Sequence, residues 1–429
     1  MKYLVIAISG IATLIAITVG VLQIDDPLNA TAQQWIELSD ANLGKESQAY
    51  YFLMGIDAVE GADPLAIGKS RVAAANATRS HGRHVDLNKP ETPPENRLPL
   101  PQGDLYCRPS EANCFNRLTN HPSNLSDELK QYNTLLNRYR RFFSYHDYKT
   151  LTIPSINTEV PDFRYLVKAN KLSQFTILLD IADTREASAL NTLNHDMEAL
   201  RQQLASADTL IHKIVLVNLL ADDIDLWVEL YNGGSIEHAT AITPLTAEQH
   251  SLYLPMIREF AVIADTYRTL DKSPQFFDKD GHANPWLVRI LFKPNMSINE
   301  IVSRYFIPYT LSVKTASEFA LLNRNANEDT DPGFSLRNYV GSVLNNVSRP
   351  DFDKYPAILY DLDCKIKLLN IRLSWGRDHK FNDETLTNSN LDLSNPYYPE
   401  QKPYIDKALH KLCYTGPYED SKGLRCIAI

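Results

Sequence analysis

The amino-acid sequence predicts a mainly α-helical protein: one N-terminal transmembrane helix, an extracytoplasmic bundle of antiparallel helices, and a short tail resembling a β-hairpin. Three observations support this. An uncharged apolar run extends from Tyr3 to Ile24, apolar residues recur at helical spacing through most of the following chain, and prolines interrupt the final segment. We therefore divide the chain into an anchor at 1–25, a helical domain at 26–385 and a tail at 386–429.

The N-terminal run is long enough to cross a membrane, because a helix rising about 1.5 Å per residue would reach roughly 33 Å over its length. Lys2 precedes the run and two aspartates follow it, which predicts a cytoplasmic N-terminus and an extracytoplasmic body. A signal peptide cleaved after Ala32 is an alternative, since Pro27 and the small residues ending at Ala32 are typical of a cleavage region. A buried helix of a cytosolic protein is the third interpretation.

The chain has five cysteines. Thiols outside the cytoplasm tend to be oxidised, so the predicted location favours disulfides. Cys107 and Cys114 are close in sequence, and Cys413 and Cys426 enclose a predicted loop between two strands, so we predict the local disulfides 107–114 and 413–426. Cys364 remains, on a predicted helix, and we expect it to be buried. Free thiols are one alternative. A metal site is another, although C-x6-C is a poor match to zinc-ligand spacing.

The first helical segments follow the anchor in order. One helix is predicted from Ala30 to Met54, and a second begins at Pro64 with Asp63 as its N-cap. Residues 86–110 are rich in proline and should form an extended, exposed connection. The first cysteine pair closes this connection, and a further helix is predicted from Ser126 to Tyr145.

The middle of the chain is the most regular. Helical spacing dominates from Asp162 to Asn232, where a long apolar helix ends at Gly233 and Gly234. Three more helices are predicted: one beginning at 243–245, one from about Ile298 to Leu322, and one from Tyr355 to Leu373. Short links between long apolar stripes favour antiparallel neighbours.

The tail changes character after residue 385. Pro396, Pro399 and Pro403 interrupt it, alternating residues lead to Cys413, and the chain ends on the apolar stretch LRCIAI. These features predict a hairpin that is held by the second cysteine pair and packs on the helical body.

Composition and missing motifs exclude several classes of function. A net charge of −9 argues against a general nucleic-acid binder. Gly68, Lys69 and Ser70 suggest a phosphate-binding loop, but Asp63 and Pro64 occupy positions where that loop needs glycine and backbone N–H groups, so we expect no nucleotide. The common signatures of serine hydrolases, zinc proteases and thiol oxidoreductases are missing. We expect no cofactor.

The best candidate binding cluster is in the stretch SWGRDHKF. Trp375, Arg377, Asp378 and His379 combine an aromatic ring, a forked cation, an acid and an imidazole just past a predicted helix end, and could form a polar pocket. The alternative is a helix cap with Gly376 as terminator.

Three further stretches have weaker claims to function. Asn327, Asp329 and Asp331 alternate like the first ligands of a calcium loop. However, Gly333 comes one position later than the glycine of an EF-hand loop, and the twelfth position is Asn338 where that loop has a glutamate. The stretch HGRH at 81–84 could bind an anion or a metal, or form an exposed loop. The acids at 222–225 could act as general acids, but we expect Asp222 and Asp223 on the polar side of their helix.

Three stretches resemble segments of proteobacterial, membrane-anchored envelope proteins of unknown function. They are SQAYYFLMGIDAVEGADPLAIGK, ASADTLIHKIVLVNLL, and the ending that contains NPYYPEQKPY and LCYTGPYED. The resemblance implies a single-pass inner-membrane protein with most of its chain in the periplasm. It implies no catalytic residue.

We therefore expect an envelope protein that binds or scaffolds through protein contacts, with the inner membrane and an envelope protein as partners. The alternative is a hydrolase or lyase that acts on an envelope polymer with a carboxylate pair from separate helices. The deepest cleft should discriminate between them, because convergent carboxyls roughly 5–10 Å apart favour the enzyme and a shallow apolar groove favours a partner.

Overall fold

The computed structural model describes residues 23–80, 96–237, 240–270, 291–306, 315–325, 335–347, 354–379 and 381–429, with isolated positions between 9 and 21 and at 288, 290 and 352. Within these ranges the chain is mainly helical and ends in a small three-stranded antiparallel sheet. The predicted fold class is confirmed at this level.

The first part of the body contains α1 (Ala30–Asp40), α2 (Gln48–Met54), α3 (Pro64–Ser80), α4 (Cys114–Thr119), α5 (Pro122–Gln131) and α6 (Asn133–Phe142). The single helix predicted from 30 to 54 is wrong, because Gly44 adopts φ 73° and Ser47 starts a new helix by accepting the N–H of Tyr50. The helix predicted from 126 to 145 is also two helices, which meet at Tyr132.

α2 and α3 pack unusually closely through glycine. A Cβ on Gly68 would lie 1.7 Å from the carbonyl oxygen of Tyr51, and one on Gly55 would lie 2.0 Å from that of Pro64. Gly68 therefore serves helix packing. The Asp63 cap is confirmed, since its carboxylate accepts the N–H of Leu65.

The centre of the molecule is formed by α7 (Phe163–Ala182), α8 (Glu186–Ser206) and α9 (Leu210–Asn232). The helical pattern predicted for this region is confirmed. The links at 183–185 and 207–209 are short and the consecutive helices pack side by side, so they run antiparallel. α9 stops before Gly233, with Gly234 in the left-handed conformation.

The remaining helices are α10 (Ala247–His250), α11 (Tyr253–Leu270), α12 (Pro294–Ile301), α13 (Ala316–Asn325), α14 (Tyr339–Val347), α15 (Lys354–Trp375) and α16 (Asp383–Asn388). The helix predicted from about 298 to 322 is wrong, because α12 passes into a π-helical turn at Val302–Phe306 and α13 begins separately after a bend at Thr315. A 3-10 turn, Leu336–Asn338, leads into α14.

The tail forms strands β1 (Tyr404–Asp406), β2 (Lys411–Cys413) and β3 (Cys426–Ala428), paired in that order. Cys413 lies opposite Cys426 in the sheet. Both predicted disulfides, 107–114 and 413–426, are confirmed, and Cys364 is buried and unpaired.

Two apolar clusters stabilise the body. The larger surrounds α9 and includes buried apolar residues of α2, α6, α7, α8 and α15. The smaller joins α1, α11, α12 and α14, where the indole of Trp35 packs edge-on against Phe260 and Phe306 at centroid distances of 5.6 and 6.2 Å. Leu252 contacts both clusters.

The proline-rich connection predicted at 86–110 is described only from residue 96 onwards. Residues 81–95 lie outside the described ranges. The part that follows is tied to the body, because Leu98 is buried and its N–H donates to the carbonyl oxygen of Asp57 at 2.8 Å. The expectation of an exposed segment is therefore wrong at Leu98.

No helix in the described ranges is long and apolar enough to cross a membrane. Most of the run from Tyr3 to Ile24 lies outside those ranges, so the anchor stays a prediction. Several of the run's described positions are helical, and four of its large apolar side chains are exposed: Leu14, Ile17, Val21 and Ile24.

Candidate functional site

The predicted binding cluster lies at the C-terminal end of α15. Trp375 is the last residue of that helix, and the imidazole of His379 stacks on its indole with ring centroids 5.0 Å apart. Arg372 donates hydrogen bonds to the carbonyl oxygens of Gly376, Arg377 and His379. These bonds close the helix end, where Gly376 adopts φ 79°.

The four predicted residues therefore separate into two pairs. Trp375 and His379 lie together against Phe381, whereas Arg377 and Asp378 are exposed. The Nε2 atom of His379 is buried and has no hydrogen-bond partner among the described residues. The binding role of this cluster stays a prediction.

The aspartates of α9 are in the interior, which corrects the expectation that Asp222 and Asp223 lie on a polar face. Two cations meet Asp222: the ammonium of Lys171 on α7 at 2.7 Å and the guanidinium of Arg108 at 2.8 Å. Asp225 pairs with the fully buried ammonium of Lys365 on α15. Asp222 and Asp225 thus each face an opposite charge.

Asp223 is held by neutral partners instead. The amides of Asn170 and Gln174 donate to its carboxyl at 3.1 and 2.8 Å. Burial, reinforced by the nearby carboxyl of Asp196, raises the pKa of Asp223 to about 8. Burial also raises the pKa of Asp196, whose carboxylate accepts the hydroxyl of Ser173.

Asp196 and Asp223 are a carboxyl pair from separate helices, as the enzyme alternative requires. However, they are only 6% and 1% exposed, so a polymer could not reach them in this conformation. We interpret this network as structural. The sequence signal that could have revealed it is the polar set Asn170, Lys171 and Gln174 among the apolar residues Leu166, Leu172 and Phe175 of the same helix.

A groove of about 350 Å³ lies between α13 and the loop before β1, and we call it the tyrosine groove. It is lined by Ser317, Ala320, Leu321, Tyr397, Tyr398, Pro399, Glu400 and Gln401. Its volume is within the usual range for a binding site. Among these described lining residues, Glu400 supplies the one carboxylate.

The floor of the tyrosine groove is held by buried hydrogen bonds. The phenol of Tyr397 is buried and donates to the Asp361 carboxylate at 2.7 Å, and Arg425 donates to both oxygens of that carboxylate at 2.9 and 3.0 Å. Burial, and then the charge of Asp361, hold the pKa of Tyr397 well above its usual value. The phenol therefore stays protonated as a donor.

The loop that carries the two tyrosines is closed on itself. Asn395 accepts the N–H of Tyr397 at 2.9 Å and donates to the carbonyl oxygen of Thr415 at 2.8 Å. The N–H of Asn395 bonds to the carbonyl oxygen of Gln401 at 2.9 Å, and the N–H of Gln401 to that of Tyr398 at 2.8 Å. This hydrogen bonding closes the loop that presents Tyr398 and Pro399.

Aromatic side chains continue beneath the groove. Phe319 on α13 contacts Tyr360 at 5.9 Å between centroids, and Tyr360 contacts Tyr397 edge-on at 6.3 Å. At the rim, Leu321 is 60% exposed. The arrangement can hold an apolar side chain without rearranging first.

A second cavity has a volume of about 120 Å³ and is lined in part by Asp40, Asp265 and Arg268. It contains two carboxylates, but it is smaller than typical ligand sites. No group of three or more His, Cys, Asp or Glu side chains within the described ranges could hold a metal ion. The suggested calcium ligands at 327–331 and the stretch at 81–84 lie outside those ranges.

Comparison of the chain with protein-family models, with curated proteins and with solved structures gave no match.

Proposed function

We propose that this chain is a single-pass inner-membrane protein, with most of its residues in the periplasm, that binds another envelope protein through the tyrosine groove. Anchoring is supported by the uncharged run from Tyr3 to Ile24 and by the exposed apolar side chains at its described positions. Such a surface is unfavourable in water and favourable in hydrocarbon. The two disulfides agree with an oxidising compartment.

The hydrogen-bonded aromatic lining of the tyrosine groove is the observation that carries the binding proposal. Groups held in one conformation lose little entropy when a partner docks, and aromatic side chains in preformed pockets contribute much of the affinity at protein interfaces. Tyr397 and the Asn395 loop meet both conditions.

We propose an extended polypeptide segment with a large apolar side chain and a neighbouring basic residue as the occupant. The apolar side chain would lie on Tyr398, Pro399 and Leu321. Glu400 is exposed at the rim, and its carboxylate would attract the basic group. Lys402 does not compete for this role, because its ammonium donates to the carbonyl oxygens of Leu386 and Thr387.

The hydrolase or lyase alternative has less support. It needs two carboxyls that converge on an accessible cleft. The tyrosine groove offers one, and the Asp196–Asp223 pair is enclosed in the core. The cavity lined by Asp40 and Asp265 offers two, but its volume of about 120 Å³ is too small for a polymer segment.

Crosslinking in the native envelope tests the binding proposal. Leu321→Asp places a charge at the rim of the tyrosine groove, and Leu409→Asp places one on a leucine of nearly equal exposure outside it, 60% against 62%. We expect the native chain and Leu409→Asp to capture the same protein, and Leu321→Asp to lose it. Equal capture by both variants would refute the groove as the contact site.

A further inference from the structure

We propose that Leu336 and Tyr339 form a surface that contacts the lipid bilayer next to the point where the chain leaves the membrane. This inference rests on the proposed anchoring of the chain. It adds a second contact between protein and bilayer, made by the folded body and separate from the N-terminal helix.

The chain is bound to the body immediately after the apolar run. The carboxylate of Asp25 accepts the backbone N–H groups of Asn295 and Met296 at 2.9 and 3.1 Å. These donors belong to the first turn of α12, where N–H groups lack partners within the helix and where negative charge is favourable. Asp25 thus caps a helix far away in sequence.

The next residues are fixed to the same helix. The Asn295 amide donates to the carbonyl oxygen of Asp26 at 2.9 Å. The side chain of Asn299 donates to the carbonyl oxygen of Pro27 at 2.9 Å and accepts the N–H of Asn29 at 2.8 Å. No free linker therefore lies between the apolar run and the body.

This short connection determines which face of the body meets the membrane. Consecutive Cα atoms are about 3.8 Å apart, so Asp25 cannot lie farther than that from the end of the run at Ile24. The headgroup region on each side of a bilayer is several ångströms thick. The N-terminal end of α12 therefore lies at the level of the headgroups if the run spans the membrane.

The 3-10 turn at Leu336–Asn338 is held at this end of α12. Arg337 forms an ion pair with Asp26. The side-chain oxygen Oδ1 of Asn338 accepts the backbone N–H of Lys293 at 2.8 Å. Beside these anchored residues, Leu336 is 82% exposed and Tyr339 is 47% exposed.

Leu336 and Tyr339 are suited to a membrane interface. Tyr339 is the first residue of α14 and follows Leu336 by three positions. Residues three apart in helical backbone are neighbours on one side, so we place the two exposed side chains on one surface. Tyrosine favours the headgroup level because its ring is apolar and its hydroxyl is polar. A single exposed leucine elsewhere would need no explanation; this pair is distinguished by its place beside the membrane exit.

A fluorescence experiment on the full-length chain tests the proposal. Leu336→Cys can be labelled selectively in the unreduced protein, because four native cysteines form disulfides and Cys364 is buried. The labelled protein is placed in vesicles of phosphatidylcholine and phosphatidylglycerol that contain a spin-labelled lipid as quencher. Leu409→Cys, on the turn between β1 and β2, is the control.

We expect the label at residue 336 to lose most of its emission to the quencher, and the label at 409 to keep its emission. If the protein floats with the vesicles but the label at 336 stays bright, the lipid contact is refuted and the anchor stands. Equal quenching at both positions would also refute a specific surface. If the protein does not float with the vesicles, the anchor fails, and this inference fails with it.

Discussion

The imidazole of His212 is completely buried between the rings of Tyr148 and Phe163, with centroids 4.3 and 5.3 Å away. Neither ring nitrogen has a hydrogen-bond partner among the residues described. Burial, with a smaller effect from the neighbouring charge of Lys213, lowers the pKa of His212 to about 3. The folded state therefore holds this imidazole neutral.

Acid should destabilise the protein through His212. The unfolded imidazole has a pKa near 6.5, so the unfolded state binds more protons between about pH 6.5 and pH 3. The free energy of unfolding must then fall as the pH drops through this window, by an amount on the order of 3–5 kcal/mol. The free energy of unfolding of His212→Phe, measured by urea denaturation at several pH values, should fall less over the same window. His146 is exposed, and His146→Phe is the control. If the free energy of unfolding depended on pH in the same way in both variants, the role assigned to His212 would be contradicted.

The buried pair of Lys365 and Asp225 gives a second prediction. Lys365→Met should lower the free energy of unfolding by about 3–5 kcal/mol, because it leaves the Asp225 carboxylate buried without its cation. Adding Asp225→Asn should recover part of that loss. Lys367→Met, two residues along α15, removes a partly exposed pair with Asp392 and should change stability by less than about 1 kcal/mol.

Urea denaturation measures all three variants. If Lys365→Met and Lys367→Met were equally destabilised, the buried pair would have no special role. The sequence could not reveal this pair, because an acid on α9 and a lysine on α15 are 140 residues apart. Each residue alone only looked like a charge on an apolar helix.

At the scale of elements, the helical spacing of apolar residues predicted helices correctly where that spacing continues without interruption. The stretch from Asp162 to Asn232 was predicted for this reason. The break at residues 41–47 could have been found from Gly44 and the Ser47 cap. The break at Tyr132 has neither glycine nor proline, so it depends on contacts with other elements, which a local pattern does not contain.

The two disulfide loops are linked to each other, which the sequence did not predict. Arg108, within the first loop, donates to the carbonyl oxygen of Lys422 at 3.3 Å. Lys411 on β2 donates to the carbonyl oxygen of Ser110 at 3.0 Å. The first disulfide therefore supports the tail as well as the segment in which it lies.

Replacing Cys107 and Cys114 by serine should loosen both regions. The closed loop is short, so the loss of stability should be modest, about 2–3 kcal/mol. Hydrogen exchange should increase in residues 96–125 and also in 411–429, more than in α7 or α8. An increase confined to 96–125 would show that the contacts between the loops contribute little.

At the scale of the whole molecule, the smaller apolar cluster places one face of α1 inside the fold. Ala32 and Trp35 on α1 belong to the smaller cluster and are 0% and 5% exposed. The side chain of Asn29 caps α1 by accepting the N–H of Ala32 at 2.7 Å. Cleavage after Ala32 would remove this cap, the Asp25 cap of α12, and part of the cluster. These contacts favour an uncleaved anchor over a signal peptide.

Two truncated chains can test this preference. A chain beginning at Asp25 keeps both caps and should unfold at the same urea concentration as the full-length protein in detergent. A chain beginning at Gln33 should be less stable by about 2 kcal/mol or more, because each lost cap contributes about 1 kcal/mol. If the chain from Gln33 were as stable as the chain from Asp25, residues 25–32 would be dispensable for folding. If the measured mass of the native protein matched a chain that begins at Gln33, cleavage would be established directly. The membrane-facing role of Leu336 and Tyr339 would then have to be abandoned.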